Sequence, residues 1–153
     1  MAKFLLDVPT LEQEMSDCCW HTSAMMIWLY WQQASGRQGP MNTMGPTYEE
    51  NTGLPPQAFI TLAKTVGLKA IPQRNTWYGS NLLVALRDRG PWWCAGYWFG
   101  FPHIIVLTGV DGNVIYFNDP DGGEKKTNTV HWFNTKLAKA IKGCIMQKNP
   151  DAY

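Results

Sequence analysis

The chain has 153 residues, of which 45% are hydrophobic; this length and composition are typical of one domain with a buried core, so we expect a single domain over residues 1–153. Thirteen lysines and arginines against twelve acidic residues give a formal charge of +1, which leaves no electrostatic case for binding nucleic acid or an anionic membrane. The first residues lack the apolar core of a secretory signal, and no later run approaches a membrane span. We therefore expect a cytosolic protein or one exported by a specialised secretion system.

The four cysteines are few and scattered: Cys18, Cys19, Cys94 and Cys144. Adjacent cysteines such as the first two are poorly placed to bond to each other, and four in this chain do not make the dense disulfide framework of a small secreted scaffold. We therefore expect reduced thiols. No Cys-x-x-Cys or paired Cys/His spacing is present, which argues against a structural zinc site.

The first predicted element is a buried helix over residues 19–33. This segment is apolar on nearly all sides and is followed by no glycine or proline before Gly36, a pattern typical of a helix packed inside a domain. Asp17 is a suitable N-cap for it. The next segment, residues 35–56, is rich in proline and glycine. We expect a long irregular connection there, and loops of that length often border a binding cleft.

Two shorter helices are predicted next. One begins at Pro55 or Pro56 and ends at Gly67, because proline suits a first helical turn and glycine a helix end. Its apolar residues share one face: Phe59, Leu62, Ala63 and Val66. The other helix is predicted over about residues 80–89, with Gly90 as its stop.

Beyond Gly90 the sequence predicts strands. PWWCAGYW, HIIVLTGV and VIYFND are short runs rich in aromatic and β-branched residues. Asp111-Gly112-Asn113 separates the second run from the third and is a hairpin signal, and Asp121-Gly122-Gly123 marks a further turn. Helices followed by an antiparallel sheet indicate an α+β fold, with a cleft where the N-terminal central helix packs against the sheet.

Four polar residues of this arrangement form a pattern suited to thiol catalysis. Cys19 opens the predicted central helix, where unpaired N–H groups and the helix dipole favour a thiolate. Gln13, six positions earlier, is placed to donate its amide to the oxyanion of a tetrahedral intermediate. His103 begins one strand and Asp119 ends the next, so the hairpin folds an imidazole base towards an acceptor that fixes its tautomer. Each residue alone has an ordinary structural explanation, and their joint spacing indicates a catalytic site.

With Trp20 after Cys19, these residues resemble the papain-like cysteine peptidases. In that superfamily a glutamine precedes the nucleophilic cysteine by the same interval, the cysteine opens the central helix, and a histidine and then Asn or Asp come from the sheet. VPTLEQEMSDCCWHTSAMM, RGPWWCAGYW and HIIVLTGV…IYFNDPDGG look like the compact bacterial members. These are the effector proteases delivered into plant cells and, more distantly, the peptidases that trim double-glycine leaders. The resemblance is spread over residues 8–123.

Three departures bear on what the resemblance implies. Ser16 occupies the position of a disulfide cysteine in the local papain signature. The interval from Cys19 to His103 is shorter than in full-length papain relatives, which implies a trimmed version of the fold. Leader peptidases typically carry glycine after the cysteine, so Trp20 points away from that branch.

Several residues compete for the proposed roles. A one-residue shift of register would give Cys18 the role assigned to Cys19. The interval from the glutamine and the tryptophan that follows both favour Cys19. Asn118 is the alternative to Asp119, although strand alternation points it to the opposite face. The remaining candidates are expected to be packing or surface residues: Cys94, Cys144, His21 and His131.

The expected activity is that of a cysteine endopeptidase, which cleaves peptide bonds through a thioester with Cys19, His103 and Asp119 as triad and Gln13 in the oxyanion hole. This chemistry requires no metal or organic cofactor. The expected partners are a protein or peptide substrate and, for an effector, a protein inhibitor or immunity partner. Two alternatives stay open: a deamidase or acyltransferase with the same chemistry, and a catalytically silent papain-like binding module. Retention of all four residues argues against the silent module.

Overall fold

The computed structural model describes residues 3–14, 18–36 and 54–152. Within these ranges the chain forms four α-helices: α1 (Cys19–Ser35), α2 (Phe59–Val66), α3 (Gly79–Arg89) and α4 (Val130–Lys136). A 3₁₀ turn, Pro56–Ala58, leads into α2. None of the helices in these ranges is both long and apolar enough to cross a membrane.

The strands of the described residues form one sheet in which every pairing is antiparallel. They are β1 (Phe4–Leu5), β2 (Leu68–Ala70), β3 (Trp92–Gly96), β4 (His103–Asp111), β5 (Val114–Asp119), β6 (Glu124–Thr129) and β7 (Ile145–Lys148). Their order across the sheet is β2-β7-β3-β4-β5-β6, and β1 pairs with the last part of β4. The centre of the sheet is therefore formed by β3 and β4.

The predicted α+β class and the three predicted helices are confirmed. α1 covers the predicted segment and ends at Gly36, whose φ of 70° is a left-handed helix end. α2 buries the four residues expected on its inner face, and α3 stops before Gly90. The proposed N-cap Asp17 lies outside the described residues, as does most of the connection expected over residues 35–56.

The central hairpin forms as the sequence predicts. Asp111 of β4 pairs with Val114 of β5, so the loop between them has two residues, and Gly112 supplies a φ of 58° that suits a tight hairpin turn. The hairpin returns β5 alongside β4, so that the end of β5 lies beside the start of β4. The other strands, β1, β2, β6 and β7, are additional to the three that the sequence predicts.

Two adjacent tryptophans at the centre of the sheet hold helices against both of its faces. Trp93 packs edge-on against Phe59 of α2, and its ring N–H donates to the Trp20 carbonyl of α1 over 3.0 Å. Trp92 projects from the opposite face, because side chains alternate along a strand, and packs against Phe133 of α4. α1 is thereby fixed across β3 and β4, which brings its first turn to the start of β4.

Candidate active site

Cys19 is the first residue of α1 and faces a cleft. It is half-buried and lines a pocket of about 290 Å³, whereas the neighbouring Cys18 is fully buried. Cys94 and Cys144 are also fully buried. Burial raises the pKa of both of these thiols, that of Cys144 to about 11. Of the four thiols, Cys19 is the one that a substrate can reach.

His103 lines the same pocket. It is the first residue of β4 and is buried next to Phe99 and Phe101, whose ring centroids each lie 5.8 Å from that of the imidazole. The rest of the lining is mainly apolar and includes Leu54, Pro56, Phe59, Tyr97, Ala138 and Ile141. The structure thus brings a thiol and an imidazole to one cleft between helix and sheet.

Asp119, the last residue of β5, holds the imidazole of His103. Nε2 of His103 lies 2.7 Å from Oδ1 of Asp119, and both side chains are buried. With Nε2 engaged, Nδ1 is the ring nitrogen left for the thiol of Cys19. The carboxylate therefore fixes the orientation of the ring and, in the neutral state, the tautomer that carries the proton on Nε2.

The charges of His103 and Asp119 stabilise each other. Burial lowers the pKa of His103, but hydrogen bonds with Asp119 and Cys19 outweigh burial and raise this pKa to about 9. Burial likewise raises the pKa of Asp119, and hydrogen bonds from His103 and Lys126 outweigh it, so that the pKa lies below its usual value. At neutral pH the pair is therefore an imidazolium and a carboxylate.

Asp119 has two further partners that the sequence did not reveal. The backbone N–H of Asp121 donates to Oδ1 over 2.9 Å, and the ammonium of Lys126 lies 2.8 Å from Oδ2. Lys126 belongs to β6, where it pairs with Phe117 and lies diagonal to Asp119. The polar sequence of β6, EKKTNT, has no apolar alternation that predicts a strand, so nothing in it placed Lys126 at the site.

Gln13 lies in the segment that leads from β1 towards α1. Its side chain is half-buried, and its backbone N–H donates over 2.8 Å to the carbonyl oxygen of Pro120, one residue after Asp119. At the turn after β5, Gly123 has a φ of 62°, and a Cβ there would lie 3.1 Å from the nitrogen of Glu12. These contacts bring the Gln13 backbone to the Asp119 end of the site. Ser16 and its two neighbours lie outside the described residues, and the role of Gln13 in an oxyanion hole stays a prediction.

The competing polar residues lie elsewhere. Asn118 donates its amide to the carbonyl of Val8 over 3.1 Å, away from the imidazole. His131 is exposed on α4, and His21 is absent from the lining of the cleft. Within the described ranges, no group of three or more His, Cys, Asp or Glu side chains is arranged to hold a metal ion. Cys19 and His103 therefore share the cleft, and Asp119 contacts His103 from a buried position behind it.

Comparison with known proteins bears on the fold and the family of the chain. The chain shares the fold of a double glycine motif protease from an AMS/PCAT transporter, solved in complex with the leader peptide; the TM-score is 0.57, the identity is 18%, and the match covers 94% of each chain. A search of curated proteins finds none that matches. The family described as papain-like cysteine protease AvrRpt2 matches residues 3–138. The predicted papain-like fold is confirmed, and the chain belongs to the papain-like cysteine protease AvrRpt2 family.

Proposed function

We propose that this protease is an endopeptidase in which Cys19 is the nucleophile, His103 the general base and acid, and Asp119 the residue that orients the imidazole. The observation that carries the proposal is the chain of contacts at the cleft. Cys19 and His103 line the same pocket, and Asp119 holds the second ring nitrogen at 2.7 Å. Gln13 is proposed to complete the oxyanion hole together with the backbone N–H of Cys19.

The proposed reaction has two steps. The Cys19 thiolate bonds to the scissile carbonyl carbon, and the carbonyl oxygen becomes an oxyanion that accepts hydrogen bonds from Gln13 and the Cys19 N–H. The C–N bond then breaks, His103 gives its proton to the departing amine, and a thioester is left. In the second step the neutral imidazole takes a proton from water, whose oxygen attacks the thioester. The C–S bond then breaks, the new carboxyl product leaves, and the thiolate–imidazolium pair is restored.

A protein or peptide is the substrate class that we propose for the cleft. Its apolar lining suits hydrophobic side chains, and the structural neighbour was solved with a leader peptide. From the resemblance to the plant-targeted proteases, we propose that the chain acts as an effector after export from a bacterium. A protein inhibitor or immunity partner is a natural counterpart for such an enzyme.

The two alternative functions make different demands on the site. A deamidase or acyltransferase forms the same thioester and differs only in the amide that is attacked or in the acceptor, so analysis of the products separates it from a peptidase. A silent binding module has no chemical need for His103 and Asp119. Two buried charged side chains carry a desolvation cost, and their contact beside the Cys19 pocket favours an active enzyme.

Cleavage of an unbiased peptide library, read by mass spectrometry, tests the proposed function. The wild type should cleave, and Cys19→Ala and His103→Ala should each abolish turnover while the protein stays folded, because each change removes chemistry but little core volume. The Cys18→Ala variant should retain cleavage. Cleavage that survives Cys19→Ala and vanishes in a folded Cys18→Ala variant would show that the nucleophile is wrongly assigned. Cleavage that survives both changes would refute the thiol mechanism.

A further inference from the structure

Lys126 contacts the proposed catalytic pair, yet the mechanism above does not use it. Its ammonium lies 2.8 Å from Oδ2 of Asp119, 4.8 Å from the ring centroid of Phe99 and 3.9 Å from the carboxylate of Glu124. The Lys126 side chain is 35% exposed, whereas that of Asp119 is 2% exposed. The lysine therefore reaches from the surface to a carboxylate that is closed to water.

The register of β5 and β6 explains why Lys126, and not Lys125, makes this contact. Phe117 pairs with Lys126, and Asn118 pairs with Lys125. Because alternate residues of a strand share a face, Lys126 projects on the side of Phe117 and Asp119, and Lys125 projects on the other side. Lys125 is 61% exposed, with its ammonium 4.0 Å from an exposed aspartate. The two lysines thus form a matched pair, of which one reaches Asp119.

Building on the proposed triad, we propose that Lys126 is a positioning residue of the active site, which binds Oδ2 of Asp119 and so keeps Oδ1 directed at Nε2 of His103. Oδ1 also accepts the N–H of Asp121, so the carboxylate cannot rotate without losing a contact. Phe99 holds the ammonium through a cation–π contact and itself packs near the imidazole. The contacts therefore form a closed ring of four side chains, in which each contacts the next: His103, Asp119, Lys126 and Phe99.

Lys126 also offsets the charge that Asp119 presents to the imidazole. A buried carboxylate whose only charged partner is an imidazolium holds that cation tightly, yet His103 must release its proton to the leaving amine. A cation on Oδ2 of Asp119 weakens the attraction between the carboxylate and the imidazolium. The charged groups that face Lys126 are Asp119, Glu124 and Asp121. All three are acidic, so none of them supplies a positive charge when the lysine is replaced. We therefore expect loss of the Lys126 charge to raise the pH at which His103 loses its proton.

Three variants test the role of Lys126. Lys126→Met removes the ammonium but keeps a long apolar side chain against Phe99, Lys126→Arg keeps the charge, and Lys125→Met makes the same change on the opposite face. We expect Lys126→Met to lower kcat about tenfold or more with KM changed by less than about twofold, as for loss of a residue that supports a catalytic group. The alkaline limb of the pH profile for Cys19 alkylation by an epoxide inhibitor should move to higher pH. Lys126→Arg should restore most of the activity, and Lys125→Met should behave as the wild type.

A double-mutant cycle separates positioning from a general structural effect. In an Asp119→Asn background the carboxylate is gone, so Lys126→Met should have little further effect on kcat, because the lysine acts through Asp119. The positioning role is wrong if Lys126→Met leaves kcat and the alkaline limb unchanged, if Lys125→Met causes the same loss, or if the full loss persists in the Asp119→Asn background. Melting temperatures of all variants show whether each remains folded.

One readout needs no substrate and keeps this inference distinct from the proposed function. The NMR signal of the proton between His103 and Asp119 reports their hydrogen bond directly, and Lys126→Met should shift or broaden it while Lys125→Met should not. If that signal responds but the wild type cleaves no peptide, the positioning contact stands and the proposed function fails. If the wild type cleaves peptides but neither the signal nor kcat responds, the proposed function stands and the inference about Lys126 fails.

Discussion

His103 contacts the carboxylate of Asp119 through one ring nitrogen and the thiol of Cys19 through the other. These two contacts determine the charge of the imidazole. Asp119 binds Nε2, Cys19 contributes a further hydrogen bond, and the rings of Phe99 and Phe101 lie close by. Burial alone favours a neutral ring, but the hydrogen bonds outweigh it. The imidazole should therefore keep its proton through neutral pH, which is the state that can protonate a leaving amine.

We expect His103 to titrate near pH 9, well above the value of about 6.5 for an unperturbed imidazole. Asp119→Asn removes the anion that stabilises the imidazolium, so the titration of His103 should move to lower pH. NMR of the ring protons measures the titration of His103 in the wild type and in Asp119→Asn. His21→Gln and His131→Gln variants assign the signals of the three histidines. A wild-type His103 that titrates near pH 6.5, or one that does not respond to Asp119→Asn, would contradict the pairing.

The residues at the cleft differ in how far local sequence constrains them. Cys19 and His103 could be placed because one opens a strongly apolar helix and the other opens a β-branched strand. Strand alternation separated Asp119 from Asn118, and the structure places their side chains on different partners. Lys126 could not be predicted, since its contact depends on the diagonal register between β5 and β6, which no local pattern encodes.

At the scale of elements, the last two residues of β5 make contacts with two different parts of the molecule. Asp119 holds the imidazole, and Asn118 donates its amide to the carbonyl of Val8 in the N-terminal segment. That segment continues to Gln13, whose backbone N–H is bonded to Pro120 just beyond β5. The end of one strand thus carries the residue that contacts the imidazole and anchors the segment that holds Gln13.

Asn118→Ala should loosen this segment without changing the contact between His103 and Asp119. The carbonyl of buried Val8 loses its donor, so the free energy of unfolding should fall by about 1–3 kcal/mol. Urea unfolding measures this change, with Asn75→Ala on the surface as control. The titration of His103 should stay as in the wild type. A shift as large as that of Asp119→Asn would mean that Asn118 orients the ring.

The elements that the sequence missed are short or polar. β1 and β2 have two and three residues, which is too few to show alternation. β6 is a polar edge strand, and β7 has four residues that pair with β2 and β3. These strands exist because a neighbouring strand supplies hydrogen-bond partners, which is a tertiary effect that local propensity does not contain. The sequence could predict the first three helices, α1, α2 and α3, because each has apolar residues to bury and ends at a glycine.

At the scale of the whole molecule, the site joins parts of the chain that are far apart in sequence. Cys19 comes from α1, and His103 and Asp119 come from the central hairpin. The helix and the sheet are joined by the bond from the Trp93 ring to the Trp20 carbonyl and by a continuous hydrophobic core. Because the proposed catalytic residues lie on both sides of that core, their alignment depends on the stability of the fold.

The pairing of His103 with Asp119 should make that stability depend on pH. The pKa of His103 is raised, so its contribution is fully present below its unfolded value of 6.5 and is lost as the pH rises through about 9. The pKa of Asp119 is lowered, so its contribution is present above its unfolded value of 3.8 and is lost as the pH falls below it. The charged pair should therefore stabilise the fold most in the interval between these two losses.

The stability advantage of the wild type over His103→Gln should shrink between pH 6.5 and about 9, with a slope of at most about 1.4 kcal/mol per pH unit for one proton. Urea unfolding at half-unit steps of pH measures the difference, and Asn75→Ala controls for substitution itself. Glutamine retains hydrogen-bonding groups but cannot titrate, so the comparison isolates the charge of the imidazole. A difference that stays constant across this window would show that His103 is not held as an imidazolium beside Asp119. The proposed proton transfer to the leaving amine would then need another donor.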